Sequence, residues 1–231
     1  MIKLKPSTVN AHTLSDVILS EDGMTLYSQN ELIMMEFERP IMIAAAKTIG
    51  EKGGDVMNVG FGMGIVDSEI SKYNPTSHTI IEIHPDIQRR ILKDDWDLKP
   101  NVNLFFGNWR SFVDEIPPMD AIYFDTLDDR EFIDFISIAW KFLKPNGIFS
   151  YFNNPLNNDN TILLKENYID IIHEFYDVEI ETIYIPQSDV ERQINHGNYV
   201  YWQENRKKYY HPILTPKPKY RKYDLQISSF F

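Results

Sequence analysis

The sequence predicts an α/β fold in which a mostly parallel sheet carries helices on both faces and has an antiparallel edge strand. Two observations support this prediction. From Asp55 onward, short β-rich runs alternate with amphipathic stretches, and such alternation is typical of a parallel sheet that is covered on both faces. Toward the C-terminus, strand-like runs follow each other without a full helix between them, which favours antiparallel pairing at one edge.

The alternating part of the chain contains five predicted strands and the helices between them. The strands are Asp55–Gly60, His78–Ile83, Val102–Phe106, Ala121–Phe124 and Gly147–Phe152. The helices lie near Ile65–Lys72, Asp86–Asp94 and Glu131–Leu143. In the last helix, the apolar residues that recur at helical spacing and should face the sheet are Phe132, Phe135, Ile136, Ala139 and Phe142. Beyond the fifth strand we expect a helix around Thr161–Tyr176, a strand at Val178–Ile185 and a β-like stretch near Tyr199–Trp202.

The region ahead of the first strand has a different character. Residues 1–30 are polar and lack sustained periodicity, so we expect an N-terminal arm or lid, with the main domain over residues 31–231. Pro40 suits the first turn of a helix over Ile41–Ile49, and Gly50 suits the position past its end. Glu38 then lies just before a helix N-terminus, where the helix dipole favours a charged carboxylate.

The composition excludes several classes of protein. The 231 residues suffice for one large domain, and the hydrophobic fraction of 43% and charged fraction of 25% are those of globular proteins. There is no cysteine, no apolar run as long as a membrane span and no apolar stretch at the N-terminus, so we expect a cytoplasmic protein without disulfides or a Cys-based zinc site. The net charge of −11 argues against broad nucleic-acid affinity.

A glycine-rich loop follows the first predicted strand and reads Val59-Gly60-Phe61-Gly62-Met63-Gly64. A loop between a strand and a helix is the context of a nucleotide-binding turn. Glu82 ends the next strand, 22 residues after Gly60, where an acidic side chain can accept both ribose hydroxyls of an adenosine. The competing interpretation is a tight turn with a surface acid. NAD is the nearest rival ligand, but its G-x-G-x-x-G pattern is absent because the third glycine is missing at that spacing.

Several blocks of the chain resemble one family. The segment Gly54–Asp67 looks like the cofactor loop of the guanidinoacetate N-methyltransferases and the fungal type IV protein arginine N-delta-methyltransferases. The further blocks that agree in order and spacing are Met34–Pro40, Ile80–Asp86, Asp120–Thr126 and Leu143–Asn153. Together the blocks span Leu32–Asn153, whereas Tyr210–Pro216 matches only loosely. The resemblance implies a Rossmann-like class I methyltransferase that uses S-adenosylmethionine and releases S-adenosylhomocysteine.

The resemblance also implies a cofactor site that needs no metal. The loop would surround the amino-acid part of the cofactor and Glu82 would hold the ribose. The implied cofactor residues are Met34, Met42, Gly60, Phe61, Gly62, Met63, Gly64, Ile65, Val66, Glu82, Ile83, His84, Trp109, Arg110 and Asp125. For Trp109 and the methionines, ordinary core packing is the alternative interpretation.

Methyl transfer to a guanidino group requires particular side chains. A guanidinium stays protonated up to a pKa of roughly 12.5–13.8, so the site must grip a cation, orient one nitrogen and accept its proton. Two carboxylates suit this task, because paired oxygens match the planar N–H fork and one of them can act as a base. Glu38 and Asp125 match the family's pair, and we expect Asp125 to accept the proton while Glu38 holds the other arm. Glu36 is the alternative to Glu38, which keeps the E-x-P spacing.

Departures from the family pattern leave the methyl acceptor open. Leu127 stands where the guanidinoacetate enzymes carry a tyrosine. Asn154 and Pro155 stand where those enzymes hold the substrate carboxylate with backbone amides, and proline has no amide hydrogen to donate. We expect Asn153 and Asn154 to bind the substrate, for which free arginine, a small guanidino metabolite and an arginine side chain of a protein all stay open.

Three other functions are also open at this point. An RNA-directed methyltransferase would use the basic, tyrosine-rich segment over residues 206–223, although the acidic net charge and the two carboxylates count against it. For this segment a closing strand and a solvated tail are the favoured interpretation. A catalytically silent S-adenosylmethionine-binding protein would keep the fold without turnover, but the retention of Glu38 and Asp125 argues against that. An aminopropyltransferase shares the fold, and no motif beyond the fold points to it.

Overall fold

The computed structural model describes residues 1–5, 16–28, 31–126, 129–153, 166–196 and 207–221. Its strands are β1 (Ile2–Leu4), β2 (Val17–Leu19), β3 (Thr25–Ser28), β4 (Glu31–Met35), β5 (Asp55–Val59), β6 (Ser77–Glu82), β7 (Val102–Phe106), β8 (Met119–Phe124), β9 (Leu143–Tyr151), β10 (Tyr176–Tyr184) and β11 (Lys208–Pro216). Its α-helices are α1 (Arg39–Lys52), α2 (Ile65–Ser71), α3 (Pro85–Lys93), α4 (Asp129–Ile138), α5 (Glu166–Phe175) and α6 (Gln187–His196). The five strands and three helices predicted between residues 55 and 152 overlap β5 to β9 and α2 to α4.

A central sheet has the strand order β1-β7-β6-β5-β8-β9-β11-β10. The first six strands in this order, β1, β7, β6, β5, β8 and β9, pair in parallel with their neighbours. The strand β11 is antiparallel to both β9 and β10. The predicted parallel sheet with an antiparallel edge is confirmed. In chain order, the sheet extends from β5 to β6 and β7 on one side. The chain then returns to form β8 on the other side of β5. Open α/β sheets bind ligands at such a switch point, beyond the carboxyl ends of the strands.

Residues along each central strand alternate between two buried clusters, one on each face of the sheet. In β5, Val56 packs in the cluster with α1, α2 and α3, whereas Met57 packs in the cluster with α4 and α5. Ile80 and Ile81 divide in the same way in β6, as the two-residue period of a strand requires. All five apolar residues predicted to face the sheet from the segment over 131–143 lie in the second cluster, so this prediction is confirmed.

The C-terminal third differs from the sequence-based prediction. The expected strand at Val178–Ile185 corresponds to β10, but α6 lies between β10 and β11, and the expectation of late strands without a full helix between them is wrong. The helix escapes detection because Val190 and Ile194 are its only apolar residues. The β-like stretch near Tyr199–Trp202 lies outside the described residues. The strand β11 lies within the basic segment over residues 206–223, where a closing strand is the expected structure. Of the helix expected around Thr161–Tyr176, the described part is α5.

The helix that follows Glu38 is longer than predicted. Pro40 lies in its first turn as expected, but α1 continues through Gly50 to Lys52 and ends at Gly53, whose φ is +64°. The prediction that the helix ends at Gly50 is therefore wrong. A Cβ atom on Gly50 would overlap the ring of Tyr73, so this glycine permits close packing of α1 on the segment after α2.

The N-terminal residues contribute to two sheets. The strand β1 extends the central sheet beside β7, with Ile2 opposite Leu104, while β2, β3 and β4 form a separate antiparallel sheet. The backbone N–H of Val17 in β2 donates to Oδ2 of Asp86 at 2.9 Å, so this small sheet is attached to the start of α3. An arm or lid over residues 1–30 stays a prediction. Within the described part of the chain, no helix combines the length and apolar character that a membrane crossing requires.

Candidate active site

The glycine-rich loop joins β5 to α2 in a conformation that favours glycine. Gly60 has a φ of +95° and Gly62 a φ of +54°, both in the region that L side chains rarely adopt. A Cβ atom on Gly60 would overlap the carbonyl oxygen of Asp125, so the end of β8 lies directly against the loop. On its other side, the Sδ atom of Met34 accepts the backbone N–H of Met63 at 3.3 Å. The loop is thus enclosed by β8 and by the small N-terminal sheet.

Glu82 lies at the end of β6 and is tied to this loop. Its Oε2 accepts the backbone N–H of Phe61 at 2.9 Å, and its Oε1 accepts the N–H of His84 at 2.7 Å. Burial raises the pKa of Glu82, and these two backbone donors oppose the rise. Each carboxylate oxygen has two lone pairs, so both oxygens keep acceptor capacity for the hydroxyl groups of a ribose.

Other residues implied for the cofactor pack around the same edge of the sheet. Ile83 and His84 follow β6 directly, and Nδ1 of His84 accepts the N–H of Asp86 at 3.1 Å, which caps α3. Ile65 and Val66 begin α2 just after Gly64, and Met42 lies in α1; these three side chains are buried in the first cluster. Their contact with a cofactor stays a prediction.

Trp109 and Arg110 are bound to α4. The indole Nε1 of Trp109 donates to Oε2 of Glu131 at 2.6 Å, and the ring packs edge-on against Phe135. Arg110 forms ion pairs with Glu131 and with Asp134, and its guanidinium lies 4.5 Å from the centre of the Trp109 ring. These contacts correspond to the core-packing alternative for Trp109, and contact of either residue with adenine stays a prediction.

The two expected catalytic carboxyl groups lie within electrostatic reach of each other, although they belong to distant parts of the chain. Glu38 is the residue just before α1, is 6% exposed, and accepts the N–H of Met35 at 3.1 Å. Asp125 follows β8, and its N–H donates to the carbonyl of Val59 at 2.9 Å. Each carboxyl group lacks an ion pair with a Lys or Arg among the described residues. Glu36 is instead paired with Arg39, so the geometry favours Glu38 over Glu36 as the partner of Asp125.

Burial and neighbouring negative charges change the acidity of this pair. Burial raises the pKa of Glu38 well above its usual range, and the nearby charge of Asp125 raises it further. Burial also raises the pKa of Asp125 to about 7, with the negative charge of Asp67 as a second cause. Charged forms of both groups are therefore costly without a cation. A bound cation would remove that cost, and a carboxyl group that titrates near neutrality suits proton transfer.

A substrate residue predicted from the sequence is held by β11. The backbone N–H of Asn153 donates to the hydroxyl of Tyr209 at 2.9 Å, and its side-chain Nδ2 donates to the carbonyl of Tyr210 at 3.0 Å. Tyr209 is 1% exposed, and its hydroxyl lies within the electrostatic reach of Glu38 and Asp125. Asn154 lies outside the described residues. Sequence reasoning placed Tyr209 only in the basic, tyrosine-rich segment and not in this site, although the loose family match over Tyr210–Pro216 begins at the next residue.

A buried polar network beneath the loop was also missed. Asp67 in α2 is fully buried; its Oδ2 accepts from Nδ2 of Asn58 at 2.8 Å, and its Oδ1 lies 2.9 Å from Nε2 of His78. The same Asn58 Nδ2 also donates to the carbonyl of Gly60 at 2.7 Å. The network therefore joins the start of the loop to a negative charge that acts on Asp125. The polar Asn58 between the apolar residues Met57 and Val59 was the signal available in the sequence.

Comparison with known proteins identifies relatives of this chain. The family model for guanidinoacetate N-methyltransferase matches residues 19–217. The chain is 34% identical over 213 residues to protein arginine N-methyltransferase 2 of Emericella nidulans, covering 86% of this chain and 49% of that protein. It is 35% identical over 147 residues to the protein of the same name from Candida glabrata, covering 58% of this chain and 35% of that protein. The chain thus spans about half the length of these relatives or less.

A solved structure shares the fold at low identity. Spermidine synthase from Thermotoga maritima superposes with a TM-score of 0.60 at 16% identity, over 88% of this chain and 69% of that one. At this identity the likeness concerns the Rossmann-like fold alone.

Proposed function

The chain belongs to the guanidinoacetate N-methyltransferase family, and on that premise we propose that it transfers a methyl group from S-adenosylmethionine to a nitrogen of a guanidino group. The observation that supports this proposal is the pair of Glu38 and Asp125. Both carboxyl groups have raised pKa values, and the described residues supply neither with a cation. A planar cation with several N–H donors is the ligand that two such groups bind best.

The residues around the switch point fit S-adenosylmethionine. Gly60 and Gly62 let Asp125 and Met34 respectively approach the loop more closely than a Cβ atom would allow, which gives the loop the tight turn that a nucleotide-binding site requires. The carboxylate of Glu82 is already oriented by two backbone donors and would hold the ribose hydroxyls. The cofactor supplies an electrophilic methyl group on its sulfonium sulfur. The chain's task is then to orient the acceptor nitrogen and to remove its proton.

Glu38 and Asp125 would share the acceptor between them. In the proposed arrangement, Glu38 accepts N–H bonds from one arm of the guanidinium and Asp125 accepts from the nitrogen that reacts. A C–N bond forms while the C–S bond breaks, and the N–H proton of the methylated nitrogen passes to Asp125. The transfer is feasible because a guanidinium that gains a second positive charge at the reacting nitrogen becomes far more acidic than its resting pKa of roughly 12.5–13.8. The product guanidinium keeps one positive charge, so Glu38 still holds it.

The acceptor is proposed as an arginine guanidino group, either free or in a protein. The names of the relatives support arginine, whereas the sequence departures at Asn154 and Pro155 disfavour guanidinoacetate. A reducing, cytoplasmic setting is proposed because the chain has no cysteine.

For the RNA alternative, the C-terminal segment gives little support in its described part. There the ring of Tyr209 is buried and that of Tyr220 packs on Trp140 and Phe175, so neither offers a stacking platform to bases.

The test is transfer of labelled methyl from S-adenosylmethionine to arginine, guanidinoacetate, arginine-containing peptides and RNA. We expect label on an arginine acceptor, a loss of about 1,000-fold or more in Asp125→Asn, and cofactor affinity within a few-fold of the wild type. Asp177→Asn, which changes an exposed carboxyl group on β10, is the matched control. Full turnover by Asp125→Asn would refute the proposed role of Asp125. Label on RNA alone would refute the guanidino acceptor.

A further inference from the structure

The peptide group between Gly60 and Phe61 is held on both sides. Its carbonyl oxygen, on Gly60, accepts from Nδ2 of Asn58 at 2.7 Å. Its N–H, on Phe61, donates to Oε2 of Glu82 at 2.9 Å, and Glu82 is the acid that is expected to hold the ribose. The orientation of this one peptide group therefore affects both the start of the glycine-rich loop and the acid at the end of β6.

A chain of hydrogen bonds continues from Asn58 into the core and ends at His78. Nδ2 of Asn58 also donates to Oδ2 of Asp67 at 2.8 Å, and Oδ1 of Asp67 lies 2.9 Å from Nε2 of His78. All three side chains are fully buried. An ionised carboxylate only accepts hydrogen bonds, so the Asn58 amide and the Nε2–H of His78 are the donors. The position of Asp67 thus depends on His78 as well as on Asn58.

Ring packing connects His78 to the loop by a second route. Trp96 packs edge-on against the ring of Phe61, with ring centres 5.4 Å apart, and edge-on against His78, with ring centres 6.1 Å apart. The ring of Phe61 lies so close to Gly64 that a Cβ atom there would overlap it. His78 therefore supports the carbonyl of Gly60 through hydrogen bonds and the side chain of Phe61 through ring packing.

We propose that His78 is a positioning residue of the cofactor site, which holds the peptide group of Gly60 and Phe61 in the orientation that cofactor binding requires. It acts through two intervening side chains, Asp67 and Asn58. A binding site whose groups are locked by buried hydrogen bonds and packing loses less freedom when the ligand binds, so its affinity is higher. This inference rests on the proposed function only for the identity of the ligand, S-adenosylmethionine, and involves no methyl acceptor.

A second buried histidine provides a matched control. His78 and His211 are both 0% exposed, and neither Nδ1 atom has a hydrogen-bond partner among the described residues. Nε2 of His211 lies 3.0 Å from Oγ1 of Thr48, so this histidine joins β11 to α1 and has no such connection to the loop. If buried histidines contribute only to stability, substitutions at the two positions have the same effect on ligand affinity.

The test is calorimetric titration of the full chain with S-adenosylmethionine, in the absence of any methyl acceptor. His78→Phe keeps a ring beside Trp96 and removes the donor to Asp67, so we expect the Kd to rise about ten-fold or more. In His78→Gln the amide nitrogen is as many bonds from the backbone as Nε2 of histidine, so the Kd should return to within about three-fold of the wild type. His211→Phe should lower the melting temperature and leave the Kd unchanged.

Wild-type affinity in folded His78→Phe would overturn the proposal. An equal loss of affinity in His211→Phe would also overturn it, because the effect would then be a general one of an altered core. If His78→Phe does not fold, Trp96→Phe tests the second route: the smaller ring loses contact with Phe61 and His78, so the Kd should rise about three-fold or more, and an unchanged Kd would overturn the proposal. A wild type that binds S-adenosylmethionine but methylates no guanidino compound would instead refute the proposed function and leave this test intact.

Discussion

The side-chain amide of Asn58 donates to the buried carboxylate of Asp67 at 2.8 Å and to the carbonyl of Gly60 at 2.7 Å. One amide group thus connects the first glycine of the cofactor loop to a negative charge inside the core. The same charge raises the pKa of Asp125. Loop geometry and the acidity of the expected catalytic base are therefore linked through one network.

Asp67→Asn should lower the pKa of Asp125, because the substitution removes a nearby negative charge and keeps the shape of the side chain. We expect the acid limb of the pH–rate profile with an arginine acceptor to move to lower pH by roughly half a unit to one unit. Asp177→Asn, at the surface of β10, should leave the limb in place. If the acid limb of the pH–rate profile of Asp67→Asn stays in place or moves to higher pH, Asp67 does not control the pKa of Asp125.

Asp125→Asn should stabilise the protein, and the gain should grow with pH. The pKa of Asp125 is near 3.8 when unperturbed and about 7 in the folded chain, so between these values the folded state binds more protons than the unfolded state. The free energy of unfolding of the wild type therefore falls as pH rises through this window, and the full cost is present above about pH 7. We expect Asp125→Asn to gain roughly 1–3 kcal/mol at pH 8 and little at pH 4. Thermal or urea unfolding at both pH values measures this, and an equal gain at both would contradict it.

Gly60→Ala should disrupt the site far more than Gly23→Ala. Both glycines have a positive φ, +95° and +73°, but a Cβ atom on Gly23 meets nothing within 4 Å, whereas one on Gly60 overlaps the backbone of Asp125. Gly23→Ala should therefore cost only the backbone strain, about 1–2 kcal/mol. Gly60→Ala should cost at least about 3 kcal/mol or abolish cofactor binding. Unfolding curves and calorimetric titration with S-adenosylmethionine separate the two effects, and similar costs at both positions would count against the close approach of β8 to the loop.

Glu82→Gln should weaken cofactor binding about ten-fold or more. A glutamine has one acceptor oxygen where Glu82 uses two to accept the N–H groups of Phe61 and His84, so its NH2 group would face a donor. The ribose would also lose a charged acceptor. Calorimetry with S-adenosylmethionine measures the change, and Glu179→Gln, on the exposed side of β10, serves as the control. Equal affinity in Glu82→Gln would remove Glu82 from the cofactor site.

Much of the central sheet could be predicted because it depends on local pattern. The runs that form β5 to β9 are short and apolar and are separated by amphipathic stretches. The secondary structure of each run can therefore be predicted from a window of about ten residues. The helix α6 could not be found this way, because its sequence offers only Val190 and Ile194 as apolar residues. Gly50 was misjudged for a related reason. A glycine near the end of an apolar run predicts a helix end, but here it accommodates the ring of Tyr73.

For the candidate site, the sequence by itself determined the glycine-rich loop and the acid at the end of β6, since each belongs to a contiguous motif, while the resemblance to the family predicted Glu38 and Asp125 as the catalytic pair. Only the tertiary structure decided that Tyr209 joins Asn153 beside these carboxyl groups, and that Asn58, Asp67 and His78 form one buried network. These contacts link residues on separate strands and helices, so no local periodicity reports them. The acidity of Glu38 and Asp125 is likewise decided by the tertiary structure. Burial and neighbouring charges set the pKa values of both groups, and these effects exist only in the folded chain.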